Sequence, residues 1–195
     1  MNAVVDWILR FLLRQNAIDN EEDSIEYCKY GIEITISSLL NVLLIVIIGL
    51  IFNCVLQSII FLLVFINLRR YTGGYHASTY LRCHMVLCTS FIVLCVVMNA
   101  MLLCSYVVIF ALTIVMHIFA FCIIVIFSPL ENENKMLDEN NKRVNHHKSV
   151  VFAAVLFVLN LIILYYCIIE SVVIALTVFL VAILMIIKIV KEGKA

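Results

Sequence analysis

The residues of this chain whose types and spacing suit covalent chemistry lie in one polar island, Arg69-Arg70-Tyr71-Thr72-Gly73-Gly74-Tyr75-His76-Ala77-Ser78-Thr79-Tyr80-Leu81-Arg82-Cys83-His84. A cysteine nucleophile needs a base, donors for an oxyanion and a site that excludes bulk water. Cys83 is the candidate nucleophile and His76 the candidate base, with His84 and Cys88 as their nearest competitors. On one continuous helix, residues seven apart share a face but are separated by about 10.5 Å along the axis. His76 and Cys83 therefore pair only if the chain bends between them. Gly73-Gly74, just upstream, can take backbone angles closed to other residues and permits such a bend. If Cys83 opens a helix, the dipole and free N–H groups of that terminus favour a thiolate and suit an oxyanion. Arg69, Arg70 and Arg82 add positive potential and could hold acidic groups of a substrate. The plain alternative is a basic loop beside a membrane, with incidental His and Cys.

The elements around this island read as membrane helices. Hydrophobic residues make up 65% of the 195-residue chain and charged residues 13%, and mean hydropathy is +1.15. A soluble domain is roughly half apolar and a quarter charged, so an all-α integral membrane protein is expected. The zero formal net charge argues against nucleic-acid binding. Three apolar runs, Ile34–Leu68, Met85–Phe127 and Val150–Val190, contain 35, 43 and 41 residues. One span needs about 20 residues, so each run is expected to fold as a helical hairpin, giving six spans. The turns are expected near Gly49-Phe52-Asn53, Cys104-Ser105 and Glu170-Ser171.

Charge placement agrees with six spans. All 13 lysines and arginines fall before the first span, between spans two and three, between spans four and five, or at the end of the chain. By the positive-inside rule, both termini and both larger loops are expected to be cytoplasmic. Residues 1–195 are read as a single polytopic domain. It comprises an interfacial N-terminal region (1–30), a catalytic loop (69–84) and a second cytoplasmic loop (129–149), with Pro129 ending the fourth span. In the N-terminal region Val4, Val5, Ile8, Leu9, Phe11 and Leu12 recur at helical spacing around Trp7, as in an amphipathic interfacial helix. Asp6, Arg10 and Arg14 interrupt the apolar core a secretory signal would need.

Other chemistry is weaker. Cys54, Cys95, Cys104, Cys122 and Cys167 sit in apolar runs, where a thiol packs as a small hydrophobe. His146-His147 lacks further ligands at zinc spacing, and neither a metal nor another cofactor is expected. There is no His-Glu-x-x-His or Gly-x-Ser-x-Gly motif, and no aspartate within the spans. Glu33, Asn41, Asn67, Asn99, His117 and Asn160 are candidate functional polar residues within or at the ends of spans, with Asn41, Asn99 and Asn160 candidates for interhelical hydrogen bonds.

The pattern Arg70-x-x-Gly73-Gly74-x-His76-x6-Cys83, between the second and third spans of a six-span chain of this length, resembles the accessory gene regulator B (AgrB) family. These are membrane cysteine endopeptidases of Gram-positive quorum sensing. The resemblance implies that His76 and Cys83 are catalytic and that Arg70, Gly73 and Gly74 shape and charge the site. It implies cleavage of a small AgrD-like precursor peptide at the C-terminal side of its future ring, through a thioester on Cys83. Attack by a side chain of the precursor then releases a cyclic thiolactone or lactone. It further implies a homodimer. Two other readings compete: a small transporter or peptide exporter without covalent catalysis, and a non-enzymatic membrane scaffold.

Overall fold

Long runs of Leu, Ile, Val and Phe without internal proline leave the backbone of this chain one means of satisfying its hydrogen bonds in lipid, the α-helix. A computed structural model describes residues 2–15, 17, 18, 21–73, 80–130, 138–191 and 193, and among them there are seven helices. These are α1 (Asn2–Arg14), α2 (Glu22–Ile51), α3 (Val55–Thr72), α4 (Tyr80–Leu102), α5 (Tyr106–Phe127), α6 (Glu139–Tyr166) and α7 (Ile168–Lys191). Helices α2 to α7 are each long and apolar enough to cross a membrane, so the protein is an all-α, multi-pass membrane protein. The chain forms two units, Met1–Leu44 and Ile45–Ala195.

The first unit contains α1 and most of α2. Val4, Trp7 and Phe11 of α1 share one exposed face, and the rings of Trp7 and Phe11 stack with centroids 6.2 Å apart.

In the second unit the core is organised by α7, which packs against α3, α4, α5 and α6. Most of its apolar stretch is buried, whereas less than half of that of any other span is. Small side chains explain how one helix can accept so many neighbours: Ser171, Ala175 and Ala182 of α7 are fully buried, and such residues let helix backbones approach closely where lipid offers no hydrophobic driving force. Its last turn carries Lys188, only 4% exposed, a cation at the helix end whose dipole favours it.

The tight connections fall close to their expected places. Asn53, with φ 54°, turns the chain between α2 and α3, and the Cys54 amide donates to the Gly49 carbonyl at 2.7 Å. Leu103–Ser105 joins α4 to α5. The third turn is at Cys167, three residues before the expected Glu170, which instead sits in the first turn of α7, where the helix dipole favours a carboxylate. The packing is less simple than three hairpins. Helices α6 and α7 pack directly, but α4 and α5 are not among the main helix pairs and both lie against α7.

Residues 139–149, expected as loop, form the first turns of α6. Asp138 caps them through its carboxylate, which accepts from the Glu139 amide at 2.9 Å, and no Gly or Pro interrupts the stretch into the apolar run.

One close approach yields a stability prediction. A Cβ on Gly49 would lie 2.8 Å from the Cβ of Ser58, a fully buried residue on α3. Gly49→Ala is therefore expected to destabilise the protein by about 1–3 kcal/mol, read as a lower midpoint of thermal aggregation in detergent. The double variant Gly49→Ala/Ser58→Gly should recover part of the loss.

Candidate active site

The ends of α3 and α4 hold the described part of the polar island. Arg69 and Arg70 lie in the last turn of α3, and Cys83 is the fourth residue of α4. The half-buried Cys83 sulfur thus lies in the first turn of α4, toward the positive end of its dipole. The Arg69 guanidinium is within electrostatic reach of Cys83 and lies over the Phe65 ring at 5.4 Å. Arg70 lies over the Tyr71 ring at 6.0 Å, and Arg82 is exposed. His76 and Gly74 lie outside the described residues. Of the competitors, His84 is buried and engaged in an interaction. Cys88 is five residues further along α4, about 7.5 Å deeper along the axis.

Gly73 ends α3 with φ 70° and ψ −155°, a region of backbone space open essentially to glycine alone. Its amide still closes the helix, donating to the Arg69 carbonyl at 3.0 Å. The residue pairs with Leu130, whose amide donates to the Thr72 carbonyl at 2.9 Å. Leu130 comes so close that a Cβ on Gly73 would overlap its carbonyl group. The segment Ser128-Pro129-Leu130, directly after α5, thus caps a terminal carbonyl of α3 from 58 positions away in sequence. The glycine was visible in the sequence as a point of backbone freedom. Its partner was not, because no local pattern links an α5 exit to an α3 end.

This strap is held in turn by α6. The His146 ring Nδ1 donates to the Ser128 carbonyl at 2.7 Å. The Ser149 hydroxyl donates to the His146 carbonyl at 2.8 Å, which leaves its oxygen to accept from the Ser128 hydroxyl at 2.5 Å. Lys148, between them, reaches over the Tyr71 ring at 5.8 Å. The His146 Nδ1 is thus engaged with the strap rather than open to a metal ion. Among the described residues no group of three or more His, Cys, Asp or Glu side chains is placed to hold a metal ion.

Several polar residues within the spans are bonded inside their own helices. Asn67 and Asn99 donate to carbonyls four residues back, Leu63 and Cys95, both at 2.8 Å, so Asn99, expected to bond between helices, bonds within its own. His117 is bonded in the same way to Thr113 at 3.0 Å. Asn160, expected to bond between helices, is buried with neither amide atom partnered among the described residues. All eight cysteines are free thiols, with Cys54 and Cys95 in sulfur contact at 3.7 Å.

Comparison with known proteins connects this arrangement to a family. A family model described as Accessory gene regulator B matches residues 5–190. The chain is 31% identical over 156 residues to an AgrB-like protein of Clostridium perfringens (strain SM101 / Type A), covering 76% of this chain and 71% of that one. It is 29% identical, with the same coverage, to AgrB-like protein 2 of Clostridium perfringens (strain 13 / Type A). Protein FsrB of Enterococcus faecalis (strain ATCC 47077 / OG1RF) is 30% identical over 82 residues, covering 42% of this chain and 34% of that protein. No solved structure matches. With its model matching almost the whole length, the chain belongs to the accessory gene regulator B family of quorum-sensing membrane proteins.

Proposed function

We propose that the protein is a membrane cysteine endopeptidase that cleaves an AgrD-like precursor peptide and cyclises it into an autoinducing quorum-sensing peptide. The observation that carries this reading is the Cys83 sulfur in the first turn of α4, half-buried and within electrostatic reach of Arg69. His76 serves as general base and removes the thiol proton. The Cys83 sulfur attacks the carbonyl carbon at the C-terminal end of the future ring, and the positive end of the α4 dipole stabilises the oxyanion. The peptide C–N bond breaks, the departing amine takes the proton from His76, and the N-terminal part of the precursor remains as a Cys83 thioester. A thiol or hydroxyl of the precursor then attacks the thioester, closes the ring as thiolactone or lactone, and returns Cys83 to its free form.

Two physical demands follow. The amide is more stable than the thioester, so the intermediate must be sheltered from water until the ring closes. The substrate must also be concentrated at the site. An amphipathic precursor leader and the exposed Val4-Trp7-Phe11 face of α1 both favour the membrane interface, which confines the reaction to two dimensions. Both termini and the catalytic segment face the cytoplasm, where an unprocessed precursor is found, and two copies of the chain associate as a homodimer. Arg69, Arg70 and Arg82 attract acidic groups of the precursor.

The test is reconstitution in liposomes with a synthetic precursor. Cyclic peptide and released C-terminal tail are expected in equal amounts. Intact precursor after prolonged incubation would overturn the proposal. Cys88→Ala is expected to retain cleavage within about twofold, since that thiol is removed from the helix terminus, as measured by tail release. The transporter reading predicts the opposite pattern of sensitivity, with Cys83→Ala tolerated and Asn99→Leu or His117→Phe damaging.

A further inference from the structure

The N-terminal part of α6 is not a passive flank of the bundle. His146 and Ser149 lie three residues apart, on one face of the helix. Both are spent on a single target, Ser128, across 18 and 21 positions of sequence. The three residues form a closed set of donors and acceptors. Ser128 accepts at its carbonyl from the His146 ring and donates its hydroxyl to Ser149, whose own hydroxyl donates to the His146 carbonyl. Ser149 is fully buried and Ser128 only 8% exposed, so neither hydroxyl has bulk water as a substitute partner. Two residues beyond Ser128, the Leu130 amide holds the terminal carbonyl of α3 at Thr72. That end of α3 carries Arg69, whose charge interacts with Cys83.

We infer that His146 and Ser149 are positioning residues for the Cys83 site, acting through the Ser128–Leu130 strap that fixes the end of α3. The consequence for catalysis rests on the cysteine-endopeptidase reading above. Two neutral hydrogen bonds contribute modestly to overall stability, but orientation is far more sensitive. A misplacement of about 1 Å at a catalytic group can cost on the order of 100-fold in rate. Loosening the strap lets the end of α3 shift, and Arg69 with it, while the apolar core built on α7 is unchanged.

The experiment uses the full-length protein in liposomes and the variants His146→Ala, His146→Asn and Ser149→Ala. Asparagine keeps an N–H donor near the position of Nδ1. Precursor cleavage by His146→Ala should lose about tenfold in kcat with KM within about twofold of wild type, and Ser149→Ala should move in the same direction. His146→Asn should return to within about threefold of wild type. In parallel, amide hydrogen exchange is measured without substrate. Peptides covering the end of α3 and the start of α4 should exchange faster in His146→Ala than in wild type and His146→Asn, with α7 unchanged. Wild-type kcat in His146→Ala overturns the inference, as does an asparagine variant as impaired as the alanine variant. Unchanged exchange at the end of α3 does so even if cleavage itself is never observed. Failure of the peptidase reading is seen separately, as absence of cleavage by wild type.

Discussion

Cys83→Ala is expected to abolish precursor cleavage, a loss of at least about 1,000-fold, with the protein still present in the membrane at wild-type abundance. The magnitude follows from the role: removing a covalent nucleophile removes the reaction path itself, and what survives is binding and any oxyanion stabilisation. The side chain is half-buried at a helix end, where trading sulfur for hydrogen leaves a small void beside solvent rather than a cavity in the core. Stability should therefore change little, and a lost product signal reports chemistry. His76→Ala should give a comparable loss, and the double variant little more than either single one, because nucleophile and base act as a unit. Rate is read as tail released per unit of membrane protein. Retention of wild-type cleavage by Cys83→Ala would end the covalent account and favour the transporter reading.

The second large effect is expected at Gly73. Its backbone angles cost a non-glycine residue about 1–3 kcal/mol, and a Cβ would also collide with Leu130 backbone. An alanine there cannot be accommodated by a side-chain rotation, because the Cβ position is fixed by the backbone and the atoms it meets are main chain. The pairing with Leu130 must open, which frees the Thr72 carbonyl and unties the end of α3 from the strap. Gly73→Ala is expected to lower precursor cleavage by about 10- to 100-fold, since misplacement near 1 Å is enough for such a loss. Two controls separate this from general destabilisation. Gly49→Ala is crowded by Ser58, remote from the polar island in the α2–α3 turn region, and should lose stability without losing kcat per folded molecule. Gly31→Ala meets nothing within 4 Å and should be neutral. Equal kcat for Gly73→Ala and wild type would mean that the strap is irrelevant to the reaction.

Much of the fold was legible because hydropathy and charge act locally. Runs of 35 to 43 apolar residues must be divided, and tight turns at Asn53 and Ser105 divide them. The central place of α7 was not legible. It is about as apolar as α5, and what distinguishes it is where Ser171, Ala175 and Ala182 fall when neighbours close in. Residues 139–149 were misjudged because their polarity outweighed the absence of helix breakers. In the site, Cys83 and Gly73 were legible as residue types with specific physical uses. The partners that give Gly73 its meaning, Leu130 and behind it Ser128, His146 and Ser149, come from two other helix ends. No spacing rule connects them, so only the folded chain brings them into view.

The central claim is that Cys83 carries the precursor as a thioester. Incubating the liposome-embedded protein with precursor, quenching in acid and digesting for mass spectrometry measures this directly. A peptide containing Cys83 should carry the mass of the N-terminal precursor fragment, the adduct should be lost on treatment with neutral hydroxylamine, and none should form on Cys88. Cleavage proceeding at full rate with Cys83 unmodified throughout, or an adduct found on another cysteine, would contradict the account.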